Sequence, residues 1–454
     1  MTGREKNLKI FLEDILKQSS EILNDINLKN PLKQIREEQF EFKNKFFNKS
    51  YISDKNDFRE FFSRKEVKSQ IENIEDFNFA VDIISGYSNT KIYSKRGLDA
   101  KNILDSFIEN FFMSNNTFKF SKSKFEQFFK NFIKFLDSDI LQVHYFTPLF
   151  KLDFPSTTRR KDLGDVALTQ IDEIKFKIIK DSLVGTGSVP GIIRRLSYVL
   201  ETTVPFQDDA NEEVAIADKR FKKFLHAAHL FTVGDLKTGP IYKNFTLWMG
   251  NSSKVLNSTE VAVGPRTVKL NSRSYKNLKT FYDDFSSLDL TSKDWDFIQV
   301  SLERFSSSIL RDNPIDTIVD LNVALECMFS SPGETSLKIA NRSALMSGVD
   351  ESEQEKCWVF IKNVYRLRNN ILHGRKENDL DITREIIELE NIIRSSIRKF
   401  LNLSANLSKK ELKSQKKLDS GMTIRDYLLT ELDLSLINRT RLDEFLKMSD
   451  GPFS

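Results

Sequence analysis

"EKCWVFIKNVYRLRNNILHG", residues 355–374, decides how the last third of this chain folds. At about 100° per residue, Cys357, Phe360, Ile361, Val364, Leu367 and Ile371 fall within about 80° of arc. So narrow an apolar stripe predicts a helix with one buried face. Ser352 and Glu355 offer an S-x-x-E capping box ahead of it, and Gly374 is placed to stop it. On the same wheel His373 lies opposite the stripe with Asn369, Arg366 and Lys362, while Arg368 flanks the stripe beside Tyr365 and Leu372. An imidazole there is either a helix C-cap, its cation meeting the last carbonyls and the dipole, or part of a site.

Helical spacing continues on both sides of this stretch. From Ser274 to the end the pattern is helical, broken at "RDNPID", "SSPGET", "MSGVDES" and "HGRKEND". Residues 1–137 are also helical in pattern, as in "LKIFLEDILKQSSEIL" and "SKSKFEQFFKNFIKFL", with glycine and proline nearly absent. The middle is mixed. "FKLDF" (150–154) and "IKFKI" (174–178) alternate as half-buried strands do, whereas 192–203 and 212–231 return to helical spacing. "IYKNFTLWM" (241–249) alternates again, with Ile241, Phe245, Leu247 and Met249 on one side, and "EVAVGPRTVKL" (260–270) is a candidate partner strand. The expected fold is mainly α with a mixed α+β middle region. Its parts are a helical N-terminal region (1–137), a mixed α+β region (138–289), a helical domain (290–404) and a basic helical extension (405–454).

Bulk properties narrow the function. A chain of 454 residues is long for one core and fits two or three domains. Its 69 Lys+Arg against 65 Asp+Glu leave +4, so any nucleic-acid contact must come from a local patch. The 38 phenylalanines read as compositional bias. With only Cys327 and Cys357, a disulfide framework and a Cys-rich zinc site are excluded, and a reducing compartment is expected. No apolar run approaches the roughly 20 residues of a membrane span, and the start lacks the apolar core of a signal peptide. A soluble, cytoplasmic protein with no membrane partner is the expectation.

Three other motifs have plain structural readings. "VGTGSVPG" (184–191) spaces its glycines G-x-G-x-x-x-G, which fits neither the dinucleotide fingerprint nor a P-loop, and reads as a turn. His226 and His229 share a helix face, but with only His144 to spare and no placed carboxylate pair they read as packed or capping residues, and no metal is expected. Lys409, Lys410, Lys413, Lys416 and Lys417 form either a solvated face or a phosphate-contacting strip.

The helix end carries the chemistry. Arg368 lies about 7.5 Å along the axis from His373, close enough for both to touch one phosphodiester. A guanidinium, the Asn369 amide and an imidazole supply a fixed charge for a phosphorane, an orienting donor and a proton carrier near neutrality. That set suffices for RNA cleavage without a metal.

"RNNILH" (368–373) matches the motif of the HEPN superfamily: Arg, a polar residue, three variable residues, His. Residues 290–404 further resemble the ApeA-like HEPN domains of prokaryotic antiviral proteins. One helix carries Leu325 and Glu326, a second carries Arg342, and a third ends in Tyr-x-x-Arg-Asn-x-x-x-His-Gly from Tyr365 to Gly374. The resemblance implies a C-terminal HEPN-type helical bundle and a metal-independent endoribonuclease that needs no cofactor. His373 would exchange protons with the ribose 2′-OH or the leaving oxygen, Arg368 would stabilise the phosphorane, and Asn369 would orient His373 or the phosphate. Tyr365, Arg366, Arg375, Glu326 and Arg342 would support the site or touch RNA. Such domains pair, so a homodimer or larger homo-oligomer is implied. A phage-defence role is implied too, with the first 290 residues answering a phage-derived trigger or restraining the nuclease. Arg375 stands where HEPN toxins controlled by adenylylation carry a tyrosine, which argues against that control. The alternative is a non-catalytic HEPN module for RNA or nucleotide binding and dimerisation. A metal-dependent phosphodiesterase is disfavoured by the shortage of histidines.

Overall fold

The structure, a computed structural model, describes residues 2–29, 62, 64–87, 99–115, 117–137, 142–155, 159–172, 175–176, 179, 196–207, 209–244, 254–255, 266–290, 292–333, 335–348, 350–373, 382–407 and 422–453. Helices dominate. The N-terminal part comprises α1 (Gly3–Lys29), α2 (Lys65–Glu72), α3 (Glu75–Ser85), α4 (Ala100–Asn115) and α5 (Lys122–Leu136). Phe125, Phe129, Phe132 and Leu136 recur at four, three and four along α5 and are all buried. They meet Phe107 and Phe111 of α4 in a core of their own, Phe107 and Phe132 with ring centroids 4.5 Å apart. At roughly 1.5–3 kcal/mol per buried aromatic, this phenylalanine-rich seam holds the unit together.

The middle region is a small sheet with one long helix across it. Its strands are β1 (Gln142–Phe150), β2 (Leu152–Asp153), β3 (Arg160–Leu163), β4 (Val166–Gln170), β5 (Tyr198–Pro205), β6 (Lys237–Thr238), β7 (Tyr242–Asn244), β8 (Lys254–Val255) and β9 (Val268–Lys269); α6 (Ala210–Phe231) lies between β5 and β6. The order is β3-β4-β5-β1-β7-β8, all pairs antiparallel, with β6 also on β1 and a separate parallel pair β2-β9. Alternation along β1 sends Val143, Tyr145 and Leu149 into the main core and Phe146 and Phe150 into a smaller cluster on the other face.

Beyond the sheet come α7 (Ser272–Ser287), α8 (Asp296–Leu310), α9 (Pro314–Phe329), α10 (Thr335–Ser347), α11 (Glu351–Leu372), α12 (Thr383–Asn406), α13 (Ile424–Ser435) and α14 (Arg439–Met448). Their starts follow local chemistry. Asn313 caps α9 by accepting from Ile315 N, with Pro314 at the first helical position, and Thr423 and Asp426 form a capping box on α13. One apolar cluster runs from β1 through these helices to Phe453, crossing residue 290. Arg266, just before β9, ties the two parts by donating Nη1 and Nη2 to Glu390 of α12 at 2.6 and 2.9 Å while also holding Asp235.

The mainly helical fold with a sheet in the middle agrees with the sequence reading, but four local expectations are corrected. Residues 198–205 are a strand, not a helix: "YVLETTVP" is rich in β-branched residues, and pairing on both sides overrides its helical spacing. Lys175, Phe176 and Ile179 are helical, not extended, because the Asp172 side chain accepts from Lys175 N at 2.8 Å and starts a turn. β9 pairs with β2, not with the 241–249 segment, whose Tyr242 and Lys243 pair with β8 instead. Finally, α11 is capped by Asp350, which accepts from Glu353 N at 2.9 Å and lies two residues before the expected cap at Ser352. The glycine-rich turn at 184–191, the basic run at 409–417, Phe245, Leu247, Met249, Gly374 and Arg375 lie outside the described residues.

Candidate active site

The site is built on the last two turns of α11. Cys357, Ile361 and Val364 of the stripe are buried, and Phe360, Leu367 and Ile371 are half-buried. The stripe therefore seats the helix while its C-terminal end stands partly open. His373 follows the last helical residue, with its backbone N–H donating to Asn369 O at 3.0 Å. Its side chain is exposed, and among the described residues the ring takes no hydrogen bond to a helix carbonyl. His373 thus occupies the C-cap position through its backbone N–H, while its ring bonds none of the last helix carbonyls among the described residues. Arg366 is exposed on the same side.

Arg368 is half-buried and held in place. Its Nη1 donates to Asn369 Oδ1 at 3.0 Å, its Nη2 lies 3.6 Å from Glu326 Oε1, and its guanidinium sits 5.7 Å from the centroid of the Tyr365 ring. The Tyr365 hydroxyl donates to the same Glu326 oxygen at 3.0 Å, and burial together with that carboxylate pushes its pKa above the ordinary tyrosine value. Glu326, from α9, is thus a brace shared by Tyr365 and Arg368. Arg368 Nε is buried and has no acceptor among the described residues. The guanidinium is therefore held through Nη1 and Nη2 while its buried Nε is left without an acceptor among the described residues.

Arg342 is elsewhere. It is buried in α10, donates Nε and Nη2 to the two carboxylate oxygens of Asp433 at 2.8 and 2.7 Å, and donates Nη1 to Phe329 O. It fastens α10 to α13 and to the end of α9, and is placed to support the bundle, not to touch RNA. The structure therefore gathers Glu326, Tyr365, Arg368 and Asn369 around one helix end, with His373 and Arg366 exposed beside them.

Of the histidine pair on α6, His229 is engaged and His226 is largely packed away. His229 is buried, with Nε2 2.8 Å from Leu236 O, and burial lowers its pKa to about 4. Burial likewise lowers His226 to about 4. Among the described residues no group of three or more His, Cys, Asp and Glu side chains is arranged to hold a metal ion, and no helix is long and apolar enough to cross a membrane. Compared with protein-family models, with curated proteins and with solved structures, the chain matches none.

A second polar cluster escaped the sequence reading. His144, Arg160, Lys175, Glu201, Thr203 and Arg220 line a cavity of about 430 Å³ at the sheet. They come from five separate stretches. The only sequence signal was the period-2 placement of Glu201 and Thr203 on one face of β5, which a helical reading of 192–203 conceals.

Proposed function

We propose that the C-terminal bundle is a metal-independent endoribonuclease of HEPN type acting as an antiviral, phage-defence effector. The observation that carries the reading is Arg368, braced by Glu326 and hydrogen-bonded to Asn369, less than two turns before the exposed, uncommitted ring of His373. In the reaction the ribose 2′-oxygen bonds to phosphorus and the P–O5′ bond breaks, leaving a 2′,3′-cyclic phosphate and a 5′-hydroxyl. His373 carries the proton from the 2′-OH or to the leaving oxygen, Arg368 stabilises the phosphorane, and Asn369 holds the guanidinium in line. Two copies of α11 facing one another would form the complete cleft.

Purified protein with total RNA in EDTA tests the reading. Cleavage should fall by about 100-fold or more in His373→Ala and in Arg368→Ala. Activity that needs a divalent ion, or that survives both changes, contradicts it. A non-catalytic RNA-binding and dimerisation module is the second reading, favoured by the fact that Arg368 already spends Nη1 and Nη2 within its own chain. Saturable RNA binding with no cleavage, in EDTA or with added divalent ions, would select it.

A further inference from the structure

The cavity at the sheet has its own chemistry, independent of the ribonuclease reading. β5 pairs with β1 through Thr202 and Thr203, but its pairing with β4 stops at Ala167 and Glu201, so on the β4 side Thr202 and Thr203 have no strand partner. Side chains fill that edge. Thr202 Oγ1 donates to Asp165 O at 2.7 Å, and Arg220 of α6 reaches in to donate Nη1 to Thr202 Oγ1 and Thr203 O at 3.0 and 2.7 Å. His144 Nδ1 sits 3.0 Å from Thr203 Oγ1.

The carboxylates around the cavity are all engaged. Glu201 takes Arg160 at 2.7 Å and Lys175 at 2.9 Å, Asp162 takes Arg160 at 2.9 Å, and Asp165 takes Lys223 at 3.2 Å and the Tyr282 hydroxyl. Arg220 differs. Among the described residues no carboxylate pairs with it, and its Nε and Nη2 have no acceptor. Arg220 Nη1 is tied to a hydroxyl and a backbone carbonyl while its Nε–Nη2 edge is open, and such a two-pronged edge suits two oxygens of one phosphate; Arg160 and Lys175 line the same cavity with their charges already met by Asp162, Glu201 and Asp172. The volume falls in the range of small-molecule sites, about 300–1,000 Å³, and the Thr203 hydroxyl beside His144 offers a partner for a sugar.

From this juxtaposition we infer that the cavity binds a small phosphate monoester of sugar-phosphate or mononucleotide size, with the phosphate on the open edge of Arg220. α6, which carries Arg220, also passes the C-terminal bundle, where His229 O accepts from Arg394 Nε of α12 at 2.8 Å. An occupant of the cavity therefore contacts an element packed on both regions.

Calorimetric titration of the full chain with AMP, ribose 5-phosphate, adenosine and ribose tests this. At least one of the two phosphorylated probes should bind saturably, and neither unphosphorylated one should. Arg220→Gln should weaken that binding about tenfold or more. Arg160→Gln, at a side chain 54% exposed and so tolerated by the fold, should weaken it by a smaller factor. Absence of saturable binding up to roughly 5 mM of either phosphorylated probe, equal binding of adenosine and AMP, or binding unchanged in both variants overturns the assignment.

Discussion

Lowering the pH from 7.5 to 5 should cost the main core, which joins the sheet to the C-terminal helices, about 2 kcal/mol through His229 alone. The residue is 1% exposed, its Nε2–H faces Leu236 O, and Nδ1 has no partner among the described residues. Burial holds its pKa at about 4 in the fold, against an ordinary 6.5. A folded value below the unfolded one means that the unfolded chain takes up the proton first as pH falls. The stability tied to the neutral ring is therefore complete above about pH 7 and is lost on the way down to 4, roughly 2 kcal/mol by pH 5 and 3 kcal/mol by pH 4. Urea unfolding followed by tryptophan fluorescence reads the right region, because none of the 3 tryptophans lies in residues 1–137. His229→Gln keeps a donor for Leu236 O and removes the titration. The stability difference between wild type and variant should shift by about 2 kcal/mol between pH 7.5 and 5. A difference that stays the same at both pH values refutes a buried neutral His229.

Two further substitutions probe a tie between the sheet region and α12 and a tie at the site. Arg266→Ala strands Glu390, 1% exposed, and leaves Asp235, 4% exposed, with the backbone N–H of residue 266 but without the guanidinium, and should destabilise by about 3–5 kcal/mol in the same urea assay. Tyr365→Phe removes only the hydroxyl bond to Glu326 and leaves the ring beside Arg368, so it should cost about 1 kcal/mol and change RNA cleavage less than tenfold.

Where periodicity and burial coincide, the sequence was readable. The stripe on α11 and the phenylalanine seam of α5 each serve one face of one helix, so spacing alone located them. It failed at β5 and at 175–179, where the choice between strand and helix depends on a neighbour: β1 and β4 flank the one, and Asp172 caps the other. Arg368, Asn369 and His373 were legible because all three lie within six residues. The brace from Glu326 needs α9 laid against α11, and Arg342 shows the limit, since only the fold reveals that its guanidinium is spent on Asp433. The cavity beside Arg220 was illegible for the same reason, being assembled from β1, β3, β5, α6 and the Lys175 turn.

The most direct measurement of the central claim is the chemistry of the cut ends. A defined RNA oligonucleotide, incubated with the protein in EDTA and analysed by mass spectrometry, should yield a 2′,3′-cyclic phosphate and a 5′-hydroxyl, and a single 2′-deoxy substitution at the cleaved nucleotide should abolish that cut. A 3′-hydroxyl with a 5′-phosphate, or cleavage indifferent to the 2′-oxygen, would contradict a nuclease built on Arg368, Asn369 and His373.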